Sequence, residues 1–196
     1  YDPAAKRYTL TVQQSCPATP GQPDKLPFHI PLGLGLLARD GSDIPLRLEG
    51  EREAGAGSRV LSVTQTEQRF VFVDVPEKPV PSLARGFSAP VILKYAYDAA
   101  ALTHLMAHDS DPFNRWEAGQ RLASELILHG AEAMRAHRAL EVPKGLVAAF
   151  ARVLADARRD PAFAAEALSL PSEATLAEQM ALVDPGTTRE LETFTV

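Results

Sequence analysis

Residues 28–36 read Phe28-His29-Ile30-Pro31-Leu32-Gly33-Leu34-Gly35-Leu36, and every second one is large and apolar. Successive side chains of a strand point to opposite faces, so Phe28, Ile30, Leu32, Leu34 and Leu36 share one buried side. His29, Pro31, Gly33 and Gly35 make the other side, left wet or lightly covered. Pro27 and Pro31 lack the amide donor a ladder needs, which predicts an edge position or a bulge for this strand. The same period governs Tyr8, Leu10 and Val12 against Thr9, Thr11 and Gln13, and Val91, Leu93, Tyr95 and Tyr97 against Lys94 and Ala96. Phe70-Val71-Phe72-Val73 is apolar on both faces and reads as a central strand. Turns are signalled by Arg39-Asp40-Gly41-Ser42, by Glu53-Ala54-Gly55-Ala56-Gly57-Ser58 and by the proline clusters at 17–27 and 76–81. Six or seven short strands at this spacing predict an immunoglobulin-like β-sandwich.

Beyond Tyr97 the period changes to that of a helix. Trp116, Leu122, Ala123, Leu126, Ile127, Gly130 and Met134 recur at three- and four-residue steps, as do Leu146, Val147, Phe150, Val153 and Leu154 after Pro143. Asp111-Pro112 and Asp160-Pro161 read as helix starts. The aspartate accepts from free amides, and the proline occupies the first helical position, where its missing N–H costs nothing. Helices are expected near 99–108, 112–138, 143–158, 161–169 and 173–182, as an array of antiparallel pairs. Composition breaks at the same place. Eleven of the 16 prolines precede residue 98, whereas 22 alanines follow Tyr97 against nine before it. Proline punctuates short strands and alanine favours helix. The chain therefore reads as mainly β followed by mainly α, with a sandwich domain at 1–97 and a helical domain at 98–196.

The 196 residues are 45% hydrophobic and 23% charged, with a net charge of −5. A nucleic-acid binder needs a basic face to displace counterions, so that class is excluded. No apolar run reaches the roughly 18–20 residues that cross a bilayer. Cys16 is the single cysteine, which excludes an intrachain disulfide and a thiolate metal cage and points to a reducing compartment, the cytoplasm. The chain begins at Tyr1 without a signal-like segment, which reads as a mature product or an excised piece.

Side chains capable of chemistry occur without the partners that chemistry requires. His104 and His108 have the four-residue spacing of a zinc pair, but Leu105 stands where a metalloprotease glutamate would follow, and no third ligand is evident. His29, His129 and His137 read as structural or solvated. Asp109-Ser110-Asp111 lacks the continuing oxygen ligands and glycine pivot of a calcium loop, so Asp111 reads as a helix cap. Gly33-Leu34-Gly35 lies inside a strand pattern, not the strand-loop-helix setting of a phosphate cradle. Gly55-Ala56-Gly57 reads as a hairpin connection, and the charged run from Glu49 to Glu53 with Arg52 as a solvated turn. Cys16, in a loop before Pro17, has no basic neighbour to activate it. No catalytic, cofactor-binding or metal-ligating residue is assigned.

Longer strings do carry a likeness. Thr9-Leu10-Thr11-Val12, Gln14-Ser15-Cys16-Pro17-Ala18-Thr19-Pro20-Gly21-Gln22 and Lys25-Leu26-Pro27-Phe28-His29-Ile30-Pro31 resemble bacterial aminopeptidase N. Glu67-Gln68-Arg69-Phe70-Val71-Phe72, Pro79-Val80-Pro81-Ser82-Leu83 and Phe87-Ser88-Ala89-Pro90-Val91 do so too. The helical half adds His108-Asp109, Asp111-Pro112-Phe113-Asn114-Arg115-Trp116-Glu117-Ala118-Gly119-Gln120 and Asp160-Pro161-Ala162. The resemblance covers nearly the whole chain and weakens after about Asp184.

Enzymes of that family are zinc metallopeptidases of four domains that release N-terminal residues, often alanine, from peptides. The resemblance implies the third domain, a small β-sandwich, and the opening part of the fourth, a helical superhelix that closes over the active site. The family's two-histidine-and-glutamate zinc motif, later glutamate ligand and amine-binding loop belong to its catalytic domain, so no site residue is carried over. Implied partners are that catalytic domain, the remaining helical domain and, for the parent enzyme, zinc and peptides. Neither nucleic acid nor membrane is implied. An unfinished array leaves an apolar face without its next neighbour, so the last helix, around 174–182, is expected to fray or to pack on another copy. The alternative is a free-standing ligand- or protein-binding sandwich with a helical dimerisation region.

Overall fold

The computed structural model describes residues 1–139 and 142–179. The chain divides into two compact units, one of Tyr1–Tyr95 and one beginning at Ala96. In the first, the alternating stretches become β1 (Tyr8–Gln13), β2 (Ile30–Leu37), β3 (Ser58–Val63), β4 (Glu67–Phe72) and β5 (Val80–Leu83). β1 and β4 pair antiparallel, Tyr8 opposite Phe72. The second sheet runs β3-β2-β5, also antiparallel, with Leu32 opposite Leu61 and Leu34 opposite Leu83. Inward side chains of both sheets meet in a single core. Tyr8, Leu10 and Phe72 come from the first sheet, Leu32, Leu34, Leu36, Leu61, Val63 and Leu83 from the second, and Ile44, Leu46 and Val75 from connections. This is the expected sandwich. Burying a Leu or Phe completely, as for Leu34, Leu36 and Phe72, contributes roughly 1.5–3 kcal/mol each.

Three strand expectations need correction. β2 is the middle strand of its sheet, not an edge. Pro31 is tolerated because β5 pairs only with Leu34–Leu37, so at Pro31 the strand has a neighbour on one side alone. Gly33, two residues on and of the same parity, sends its N–H to the Ser88 hydroxyl at 2.8 Å rather than to β3. The missing donor of Pro31 therefore faces the unpaired side. Phe28 lies outside β2, its backbone held instead by both ends of the Gln14 amide, at 2.8 and 2.9 Å. Residues 91–97, despite their alternation, form no strand. β5 already occupies that edge of β2, and Pro90 and a tight turn (Val91 N–H to Ala89 O, 2.9 Å) precede the segment. Five strands are thus present among the described residues, fewer than the six or seven expected. β4 is flanked as a central strand would be, by β1 on one side and by the 47–49 segment on the other.

β2 is buried on both faces from Leu32 to Leu37. What covers its glycine side is Arg85, only 7% exposed. A Cβ at Gly35 would stand 2.2 Å from the Arg85 Cζ, and one at Gly33 would stand 2.7 Å from the Arg85 carbonyl oxygen. The guanidinium donates to Asp43 at 2.7 Å and to the Ser82 hydroxyl at 2.8 Å. The "lightly covered" side of the strand is in fact the floor of a buried ion pair. The charged run 49–53 is a turn, exposed except at Glu51. Glu51 accepts two bonds from Arg59, at 2.7 and 2.5 Å, and one from the Leu48 N–H at 2.9 Å. Within that solvated turn Glu51 is a tied carboxylate.

In the second unit the helices are α1 (Ala99–His108), α2 (Pro112–Arg135), α3 (Lys144–Ala155), α4 (Pro161–Leu168) and α5 (Glu173–Ala177). Both Asp-Pro starts are as read: Asp111 accepts from the Asn114 N–H at 3.0 Å and Asp160 from the Phe163 N–H at 2.9 Å. Asp98 and Ser172 cap α1 and α5 in the same manner. α2 ends at Arg135, short of 138, because His137 takes a left-handed backbone (φ 52°) that stops the helix. Buried faces are Leu102, Leu105 and Met106 of α1, Ala118, Leu122, Ala123 and Ile127 of α2, and Leu146, Ala149 and Val153 of α3. Leu176 of α5 is fully buried in a cluster with Ile127 and Ala131, so this helix packs on α2 of its own chain. The rest of the expected last helix, 180–182, and the stretch after Asp184 lie outside the described residues.

Gly35→Ala should cost about 1–3 kcal/mol by overpacking against a guanidinium pinned at two points. Urea unfolding of the sandwich checks this, and Gly35→Ala made in an Arg85→Ala background should cost measurably less. The bonds from Arg59, then the Leu48 N–H, hold the Glu51 carboxyl below its ordinary value of 4.5. A carboxyl depressed by folding stabilises above its unfolded value, and that stabilisation is lost as pH falls through the lower folded value. Sandwich stability should therefore fall below about pH 4.5, with a smaller fall in Glu51→Gln; equal pH profiles would refute the assignment.

Candidate functional site

Two arginines, one buried and one half-buried, organise the two units, and neither stood out in the sequence. In the sandwich, Arg85 sits in a short 3-10 turn, Arg85–Phe87, that follows β5. Around it Ala84, Gly86 and Phe87 all have positive φ, at 58°, 63° and 50°. For a residue with a Cβ, that backbone costs on the order of 1–2 kcal/mol. The strain persists because the Arg85 bonds to Asp43 and Ser82, and the Ser88 bond to Gly33, fix both ends of the turn. The turn buries Arg85 and leaves Phe87 67% exposed.

In the helical unit, Arg115 of α2 donates through Nε to the Met106 carbonyl at 3.1 Å, and Arg152 of α3 to the Ala107 carbonyl at 2.9 Å. Carbonyls in the last turn of a helix have no partner within it, and cations are favoured at that end. Two guanidiniums from two other helices thus close the C-terminus of α1. Arg115 also lies 5.0 Å from the centre of the Phe163 ring, and its Nη2 is buried without a hydrogen-bond partner among the described residues. Burial pulls this guanidinium below the ordinary arginine value, Asp156 opposes that, and Arg152 adds to it. Arginine stays charged under such shifts.

Arg115 forms the inner wall of a cleft of about 410 Å³ where the start of α2, the end of α3 and the start of α4 converge. Ser110, Asp156, Arg159, Asp160 and Phe163 line it too, with the apolar Pro112, Val153 and Ala164. Its charges balance, two arginines against two aspartates, and no histidine or cysteine lines it. The arrangement suits holding helices together better than moving protons or attacking a carbonyl.

The residues weighed from sequence are scattered. His104 and His108 lie against one another, ring centres 4.9 Å apart and planes tilted by 37°. No group of three metal-ligating side chains forms among the described residues. His29, His129 and His137 are exposed, and Cys16 is an exposed free thiol. Asp111 caps α2, and Asp109 accepts from the Asp111 N–H at 3.0 Å. Gly55 and Ala56 close a turn on Leu46, with bonds of 2.8 and 3.1 Å. The signals for the missed arginines were present. Gly33 and Gly35, on one strand face, leave room for a long side chain, and Arg85 is the one charged residue in the apolar stretch 79–93.

Residues 1–96 match a family model described as a domain of unknown function (DUF3458) with an Ig-like fold, and residues 99–195 match one (DUF3458_C) described as ARM repeats. Among curated proteins, the chain is 42% identical over 185 residues to "Aminopeptidase N" of Escherichia coli (strain K12), covering 94% of this chain and 21% of that protein. It is 35% identical over 185 residues to "Aminopeptidase N" of Haemophilus influenzae, with the same coverage of both. Among solved structures, the crystal structure of Legionella pneumophila aminopeptidase A in complex with aspartic acid superposes with a TM-score of 0.73 at 29% identity, over 98% of this chain and 20% of that one. The chain spans about a fifth of the length of the curated relatives it matches. It belongs to the aminopeptidase N family, as the stretch that carries the family's Ig-like and ARM-repeat domains.

Proposed function

We propose that this chain is a non-catalytic structural segment of a zinc-dependent aminopeptidase N. Its sandwich braces the catalytic domain, and its helices begin the cover over the active site. The parent enzyme releases N-terminal residues, often alanine, from peptides in the cytoplasm, and the partners of this segment are the catalytic domain and the remaining helices. The observation that carries the reading is the full-length likeness to one fifth of the aminopeptidase N relatives. The residues themselves support a mechanical role, because Arg85 and Arg115 tie elements together and neither lines a reactive group. On the outer side of α3, Val147 and Leu154 are 56% and 63% exposed, apolar surface of the kind a stacked helical array covers with its next member. The donor set does not suit zinc: His104 and His108 have no third ligand among the described residues. The parent's zinc and the groups that act with it belong, on this reading, to sequence outside this chain.

Assay of the purified chain with alanyl-p-nitroanilide and added zinc should give no turnover above buffer. The complete polypeptide should turn the reporter over, and Gly35→Ala should lower the temperature at which that activity is lost. Turnover that co-elutes with the isolated chain would overturn the proposal.

A further inference from the structure

The cleft among α2, α3 and α4 gathers charges of both signs that leave one another unpaired. Arg115, Arg159, Asp156 and Asp160 line it, yet among the described residues every ion pair lies in the sandwich unit. The four are not equally provided for. Asp160 accepts from the Phe163 N–H at 2.9 Å, and the start of α4 favours its charge. Asp156 stands at the opposite kind of end, the C-terminus of α3, where an anion is disfavoured and the last carbonyls add to it. Of the Arg115 nitrogens, only Nε has an acceptor among the described residues. Asp156 is near enough to favour the charged form of Arg115, but no hydrogen bond or ion pair joins them among the described residues. A carboxylate and a guanidinium, each short of partners, thus line one space of about 410 Å³. That lies within the roughly 300–1,000 Å³ of small-molecule sites, where a few polar groups orient a ligand on an apolar wall. Phe163 and Val153 supply such a wall.

We propose that this cleft binds a small zwitterion, a free α-amino acid with an apolar side chain, its ammonium on Asp156 and its carboxylate on Arg115 and Arg159. The site lies wholly within the helical unit and does not depend on the proposed function. Charge selects the ligand class. A simple anion would meet two carboxylates, and a simple cation two guanidiniums, whereas a ligand of both signs finds an opposite charge at each end. Guanidinium and carboxylate also match in shape, since the planar fork can donate two parallel bonds. Distance selects a single amino acid over a peptide. Asp156 acts on Arg115 across the gap, so the gap is short. Each added residue moves the two terminal charges apart by up to roughly 3.3–3.6 Å, whereas an amino acid carries them on adjacent carbons. Its apolar side chain would lie on Phe163 and Val153.

Calorimetric titration of the full chain tests this with four probes: L-leucine, 4-methylpentanoate (no amine), 3-methylbutylamine (no carboxylate) and leucyl-leucine. L-Leucine should bind with a Kd of about 1 mM or tighter, and the other three at least about five-fold more weakly. Asp156→Asn should weaken L-leucine by a similar factor and leave 4-methylpentanoate no weaker. In the isotope-labelled chain, L-leucine should move the Phe163 and Ala164 amide resonances and leave those of β1–β5 in place. No binding of L-leucine at about 20 mM overturns the proposal. Equal or tighter binding of 4-methylpentanoate, as at a plain anion site, overturns it too, as does equal or tighter binding of the amine or the dipeptide. So do full affinity in Asp156→Asn and resonance shifts confined to other residues. Should Asp156→Asn fail to fold, the four probes and the resonance map on the unaltered chain still decide. None of these outcomes bears on the aminopeptidase reading, which stands or falls on turnover.

Discussion

The sandwich depends on a cation almost wholly withdrawn from water. Arg85 lies across β2 in the space two glycines leave, and Asp43 and Ser82 supply the acceptors that make its burial tolerable. An unpaired buried guanidinium would cost several kcal/mol, and removing one partner of such a pair typically costs about 3–5 kcal/mol. The pair need not add net stability over an apolar filling of the same shape. It adds specificity: one register of β2 brings Gly33 and Gly35 beneath Arg85, and a slip by one residue would drive Leu34 into the guanidinium. The same contact fixes where β5 ends and how the 84–87 turn leaves the sheet.

The helical unit solves a similar problem with the same residue type. The end of α1 presents carbonyls to the interior, and Arg115 and Arg152 reach them from α2 and α3. The join of three helices is therefore polar and directional, while the faces between them are Leu, Ala and Met. Both units spend their buried charge on positioning. That is consistent with a family segment whose chemistry we assign to other sequence.

Much of this was legible in the sequence, and the failures have identifiable causes. Period and composition revealed the β-to-α change, the β1 register and the helix starts at Asp111-Pro112 and Asp160-Pro161. These are local signals, set by the chain's own geometry. The position of β2 was misread because a proline rule that concerns donors was applied to a whole strand. Only the Pro31 end lacks a second neighbour, and that depends on where β5 stops. Residues 91–97 alternate in most positions yet find no partner edge, because strand formation is decided by pairing between distant segments. Arg85 and Asp43 are 42 residues apart, and only the sheet brings them together. Glu51 and Arg59, nearer in sequence, could have been paired by charge alone, but the intervening Gly55-Ala56-Gly57 obscured how sharply the chain returns.

The central claim is that the Arg85–Asp43 couple sets the sandwich and the turn it presents. A double-mutant cycle tests it most directly, with Arg85→Met, Asp43→Ala and both together followed by urea unfolding of the chain. The account predicts a coupling energy of about 1–3 kcal/mol, with the double variant less destabilised than the sum of the single ones. Additivity within about 0.5 kcal/mol would mean that the two side chains act independently, and would contradict it.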